Sequence, residues 1–126
     1  MESAKKRETI VTALLAAGIM LFLLMIGISN LFHFNFRMNS DTAADAIYGK
    51  LVWETKEIVP DGWYIATETQ IICTPNLAAL FYGLTHNMVL SEGLACCTMT
   101  ALILISVLYF GKVLRFQRKE RLLFAF

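Results

Sequence analysis

Two long segments without charged side chains dominate the pattern of apolar and polar positions. No charged residue lies between Glu8 and Arg37, and none lies between Glu92 and Lys112. Both segments are apolar all round, whereas a surface helix of a soluble protein carries a polar face. About 20 helical residues cross the roughly 30 Å hydrocarbon core of a bilayer. The pattern therefore predicts an all-α integral membrane protein with transmembrane helices over residues 9–32 and 88–111.

The first half of the intervening segment has the period of an amphipathic helix. From Ala44 to Thr55, apolar residues recur at intervals of three and four positions, which predicts a helix near residues 41–57. The side-chain oxygens of Asn39–Asp41 can cap the start of this helix. Val59–Gly62 follows with the proline and glycine of a turn.

A second, shorter apolar stripe precedes the second span. Thr74 and Pro75 are typical of a helix start, with threonine as the cap and proline in the first turn. Leu77, Leu80 and Leu84 fall on one side of the expected helix, near residues 75–84. It is too short to cross a bilayer, so it is predicted to be a short interfacial helix.

Charge orients these elements. Residues 1–8 and the tail 112–126 are basic, whereas the loop 33–87 contains six acidic residues and three basic ones. Because basic flanks stay in the cytoplasm, both termini are predicted to be cytoplasmic and the loop external in a multi-pass protein of the cell membrane. The first apolar run is longer than that of a cleaved signal peptide, which favours an uncleaved anchor. The basic clusters are short and explained by topology, so nucleic acid is not expected as a partner.

Several side chains in the loop could carry chemistry. Asp41 and Asp45 are one helical turn apart and could act as a general base or hold a divalent cation; equally, they could only favour the helix dipole. His33 and His86 do not have the spacing of a recognised metal site, and no cofactor is predicted from the residues. Glu92 lies at the outer end of the second span, where it would either face protein or extend to the membrane surface.

The order of these elements resembles the N-terminal part of GT-C-type polytopic membrane glycosyltransferases, in particular uncharacterised bacterial multi-span relatives. The resemblance covers about residues 9–111. It rests on the segments Ser40–Asp45, Leu51–Glu54, Val59–Tyr64, Thr67–Gln70 and Leu77–Phe81.

The resemblance implies a polyprenyl-phosphate-linked sugar donor and an acceptor that is glycosylated on the non-cytoplasmic face. Asp41 matches the acidic residue that activates the acceptor, and Asp45 is a second candidate, either for catalysis or as a metal or acceptor contact. Trp63, Tyr64 and Glu68 match positions that shape the acceptor side. Glu92 departs from the basic residue that relatives often have early in the second span.

The chain is short for an enzyme of this type. Two spans and a loop cannot enclose a lipid-linked donor, so the chain is expected to be the N-terminal module, or a fragment, of a larger enzyme and to be inactive alone. The alternative, from a different class, is a two-span hairpin without catalysis that binds or regulates another membrane protein. Its partners would be the bilayer and other membrane helices.

Overall fold

The computed structural model describes residues 2–63 and 73–125. Within these residues all regular secondary structure is helical, which confirms the predicted all-α class. The six helices are α1 (Glu2–Phe32), α2 (Phe34–Arg37), α3 (Ser40–Thr55), α4 (Thr74–Thr85), α5 (Met88–Val113) and α6 (Arg118–Ala125).

Two of these helices are long and apolar enough to cross a membrane, as the sequence predicts. They comprise Lys6–Phe32, with 27 residues, and Met88–Val113, with 26. Their large apolar side chains are mostly exposed; Leu14, Phe22 and Ile103, for example, are 67%, 62% and 60% exposed. A helix in a water-soluble core would bury such side chains, whereas exposed apolar surfaces of this kind are typical of sites that contact a membrane or another protein.

The described residues form two compact units, one of residues 28–99 and one that combines residues 1–27 with 100–126. In the unit of residues 28–99, glycines allow α3 and α4 to pack closely. A Cβ on Gly49 would lie only 3.0 Å from the Pro75 carbonyl oxygen and 3.1 Å from the Ala78 Cβ. On α4, Gly83 leaves room for the Trp53 ring. The two helices thus hold each other in a fixed register.

α3 ends earlier than the sequence pattern indicates. Lys56 takes a left-handed conformation (φ 62°) and its N–H donates to the Val52 carbonyl. Its ammonium lies 3.2 Å from the centre of the Trp53 ring, a cation–π contact. The predicted turn follows separately, with the Trp63 N–H donating to the Pro60 carbonyl at 3.1 Å and Gly62 at φ 79°.

The start of α4 also differs from the prediction. Cys73, not Thr74, occupies the cap position, and it makes no side-chain capping hydrogen bond. Pro75 lies in the first turn, where its missing N–H costs nothing. Thr74 is therefore the first helical residue, and the expected threonine cap was wrong.

In the unit of residues 1–27 and 100–126, the tail forms a helix that was not predicted from the sequence. After α5, Arg115 takes a left-handed conformation (φ 60°) and the Phe116 N–H donates to the Gly111 carbonyl at 3.0 Å. α6 then packs back on α5: a Cβ on Gly111 would lie 2.9 Å from the Arg121 Cγ. The Phe116 and Phe124 rings meet edge to face at 6.0 Å.

Candidate functional site

The start of α3 is capped without using an aspartate. The Asn39 side-chain oxygen accepts a hydrogen bond from the Thr42 N–H at 2.9 Å, and the Thr42 hydroxyl accepts one from the Asn39 N–H, also at 2.9 Å. This reciprocal pair satisfies two backbone donors that would otherwise lack partners at the helix end. The Asp41 and Asp45 carboxylates are therefore not needed as caps.

The structure places Asp41 and Asp45 on the first two turns of α3, which follows α1 and the short helix α2. Both side chains are exposed, and the Ser40 hydroxyl donates to Asp41 Oδ1 at 3.4 Å. Although the side chain is exposed, partial desolvation of its carboxyl group and the nearby Asp41 carboxylate raise the pKa of Asp45 above its ordinary value. A carboxylate of raised pKa is a stronger base, so Asp45 has the chemistry required to take a proton from an acceptor hydroxyl.

The predicted substrate residue Trp63 lies against the same helix. Its ring is 5.2 Å from that of Tyr48 on α3, and the Tyr48 hydroxyl donates to the Ile58 carbonyl. Pro60, which lies between Ile58 and Trp63 in the sequence, is fully buried. Trp63 is half-exposed and held by packing in the turn after α3.

The other two predicted substrate residues, Tyr64 and Glu68, lie outside the described residues, so their role stays a prediction.

Glu92 is buried within the unit of residues 28–99, although the sequence left its environment open. Its side chain is 2% exposed, and Oε2 accepts no hydrogen bond from any residue that the structure describes. Next to it, a Cβ on Gly93 would lie 3.1 Å from the Asn30 carbonyl carbon, which shows how closely the start of α5 approaches the end of α1. Glu92 is also near enough to Asp45 for their charges to interact.

Ser91, beside Glu92, is buried but fully bonded. Its hydroxyl donates to the Asn87 carbonyl at 2.6 Å and lies 2.8 Å from the Thr85 hydroxyl. These bonds connect the end of α4 to the first turn of α5. The buried carboxyl of Glu92 is thus held next to a rigid helix junction.

The histidines make aromatic contacts. His33 lies 6.4 Å from the Phe36 ring, and His86, in a left-handed conformation at the end of α4, lies edge-on to Tyr82 at 6.0 Å. Across residues 2–63 and 73–125, no three His, Cys, Asp or Glu side chains are placed to hold a metal ion. The described residues therefore give the aspartates no metal site to share with the histidines.

One charged residue with a partly buried side chain was not predicted from the sequence. Arg121 of α6 has a buried Nε, although it lies in a tail that reads only as basic. The signal that could have revealed it is the spacing of Arg121 to Phe124 and Ala125, three and four residues later, which is that of one helix face.

No protein-family model matches the chain, and searches of curated proteins and of solved structures find no similar protein.

Proposed function

We propose that this chain is the N-terminal module of a membrane glycosyltransferase that uses a polyprenyl-phosphate-linked sugar. In this proposal, the two long apolar helices cross the membrane, both termini are cytoplasmic, and α3 and α4 lie on the outer side. Asp41 takes the proton from the acceptor hydroxyl as the sugar is transferred, and Asp45 is its neighbouring carboxylate.

The observation that carries the proposal is the exposed Asp41–Asp45 pair at the start of α3. The Asn39–Thr42 capping pair performs the structural duty that usually explains acids at this place. Favourable interaction with the helix dipole remains, at about 0.3–1 kcal/mol, but it requires only one acid and no neighbour. A second acid one turn later adds like-charge repulsion, which lowers stability and which the helix dipole does not explain.

The packing of α3 supports the same role. A catalytic carboxylate must be held in position by a rigid element. Contacts at Gly49 and Gly83 fix α3 against α4, and the Tyr48 hydroxyl fixes the chain after α3 through the Ile58 carbonyl. Trp63, whose ring packs on Tyr48, would form an apolar wall beside the helix for a sugar ring or a prenyl chain.

The experiment is a sugar-transfer assay in membranes that contain the full-length protein. Donors would be polyprenyl phosphates that bear radiolabelled hexoses, with transfer to membrane polymer as the readout. Asp41→Asn should lower transfer by about 10²–10⁴-fold, because it removes the base but keeps the size of the side chain. Asp45→Asn should have a smaller effect, and Asp61→Asn, an exposed carboxylate in the turn after α3, should have none.

Two results would contradict the proposal. Full activity of Asp41→Asn would show that Asp41 is not the catalytic base. An absence of transfer by the unmodified protein from every polyprenyl-linked donor would exclude this class of donor. Equal losses in Asp41→Asn and Asp61→Asn would show that the assay reports general damage, not catalysis.

A second proposal is a two-span hairpin that binds other membrane helices without catalysis. The observation in its favour is the exposed apolar surface of α1, including Leu14 at 67% and Phe22 at 62%. Photo-crosslinkers at these two positions would separate the proposals in native membranes. Discrete protein adducts, together with no sugar transfer, would favour the hairpin.

A further inference from the structure

The unit of residues 1–27 and 100–126 contains an apolar cavity that the sugar-transfer proposal does not use. Its volume is about 260 Å³, and it is lined by side chains of α1, α5 and α6. The side chains that matter most here are Phe22, Leu104, Val107, Phe124 and Ala125. The lining is predominantly apolar, so the cavity suits a hydrocarbon chain and not a sugar or nucleotide.

Arg121, whose Nε is buried, lies on the face of α6 that carries the cavity-lining residues Phe124 and Ala125. Arg121 precedes Phe124 and Ala125 by three and four residues, so all three share one side of the helix. The stem of Arg121 lies on Gly111, and Gly111 follows Val107 by four residues on α5. Arg121 therefore sits one helical turn beyond the cavity, towards the end of α5.

One donor of the Arg121 guanidinium lacks a hydrogen-bond partner. Its Nε is buried and finds no acceptor among the residues that the structure describes. Buried donors in folded proteins nearly always have a partner. The surrounding segment is also strongly cationic: residues 112–121 contain five basic residues and one acid, Glu120. That acid already accepts a hydrogen bond from the Gln117 N–H at 2.8 Å.

We propose that this unit binds one anionic phospholipid, with an acyl chain in the cavity and the phosphate at Arg121. The apolar cavity can accommodate an acyl chain, and the guanidinium beside it can bind an anionic headgroup. The basic end of α5 faces the cytoplasmic leaflet in the proposed topology, where anionic headgroups concentrate. The inference depends on the chain crossing a membrane but not on sugar transfer.

Native mass spectrometry of the full-length protein tests the headgroup. The detergent-solubilised protein would be mixed with phosphatidylglycerol and phosphatidylcholine of equal chain length. We expect one retained phosphatidylglycerol in preference to phosphatidylcholine, and Arg121→Gln should lower that preference roughly fivefold. Lys119→Gln is the matched control, since it removes the same charge two residues away, on the opposite side of α6. Equal retention of the two lipids, or equal effects of the two variants, would overturn the proposal.

A second pair of variants tests whether an acyl chain occupies the cavity. Leu104→Trp fills the cavity, whereas Ile105→Trp adds the same bulk at a position that is 61% exposed. Only Leu104→Trp should abolish retention of the lipid, with circular dichroism confirming that both variants remain helical. If Leu104→Trp does not fold, the Arg121 and Lys119 comparison still decides. Competition by soluble glycerol phosphate, or retention of a polyprenyl phosphate in place of the phospholipid, would also overturn the assignment.

Discussion

The indole ring of Trp53 fills the space beside Gly83, so that a Cβ on Gly83 would lie 2.6 Å from the ring atom Cε2. This contact joins the last turns of α3 and α4 and fixes the register between them. The same ring lies under the Lys56 ammonium. Trp53 therefore contacts α4 at Gly83 and the residue that ends α3, Lys56.

Gly83→Ala should destabilise the protein, because the added methyl group would push on the Trp53 ring. Overpacking of this kind costs about 1–3 kcal/mol, which outweighs the gain of up to about 1 kcal/mol from alanine's better helix propensity. Thermal unfolding in detergent measures the difference. Gly27→Ala is the control, since a Cβ at Gly27 meets nothing within 4 Å and should be neutral or stabilising. A stable Gly83→Ala variant would show that the Trp53 ring is not confined by α4.

Tyr48→Phe should lower stability by about 0.5–1.5 kcal/mol, because it removes the hydrogen bond to the Ile58 carbonyl. It should also loosen the turn that holds Trp63 against the Tyr48 ring, which tryptophan fluorescence would detect as a change in emission. Tyr109, which is 66% exposed, provides the matched control. If Tyr109→Phe and Tyr48→Phe behave alike, the link between α3 and the following turn does not contribute to folding.

Asp45→Asn should stabilise the protein at neutral pH and have little effect in acid. The pKa of folded Asp45 lies above its ordinary value of 3.8, so the folded state binds a proton more tightly than the unfolded state. The unfavourable contribution of Asp45 is therefore absent below the unfolded pKa and develops as pH rises through the folded one. For an exposed like-charge pair it amounts to roughly 0.2–0.5 kcal/mol.

The measurement for Asp45 is the free energy of unfolding at several pH values. Asp61→Asn serves as the control, because that carboxylate lies outside α3. A gain for Asp45→Asn that is equally large at about pH 3 and pH 7 would exclude titration of Asp45 as its cause.

Glu92 and Ser91 are neighbours with opposite expected effects. Glu92→Met keeps the volume but removes a buried carboxyl whose Oε2 has no described partner, so stability should rise by about 1–3 kcal/mol. Ser91→Ala removes two good hydrogen bonds and should lower stability by about 1 kcal/mol or more. Thermal unfolding of both variants checks the contrast. Destabilisation by Glu92→Met would mean that the carboxyl is fully bonded in the folded protein.

Local features of the fold could be predicted from the sequence. The two apolar helices follow from uncharged runs longer than a bilayer requires. Asn39 could be recognised as a cap because capping depends on residues three positions apart. The turn at Pro60–Gly62 likewise follows from residues that favour its backbone angles. The proximity of Asp41 and Asp45 needed only the helical period.

Features that depend on contacts between helices could not be predicted. The pairing of Gly83 with Trp53 depends on the register of α4 against α3, which no local pattern specifies. The burial of Glu92 depends on how the start of α5 meets neighbouring helices, so the sequence left its environment open. α6 was not predicted because its eight residues begin with charged side chains and resemble a basic tail. The contact of Arg121 with Gly111, which packs α6 on α5, is not evident from the sequence.

In the proposed topology, α3 and its aspartates lie outside a membrane that the chain crosses twice. Single cysteines at Asp61 and Arg118, in a protein whose Cys73, Cys96 and Cys97 are replaced by alanine, test it with a membrane-impermeant maleimide. We predict that the Asp61 site is labelled in intact cells and that the Arg118 site is labelled only after permeabilisation. Labelling of the Arg118 site but not the Asp61 site in intact cells would contradict this topology and place Asp41 on the wrong side for the proposed reaction.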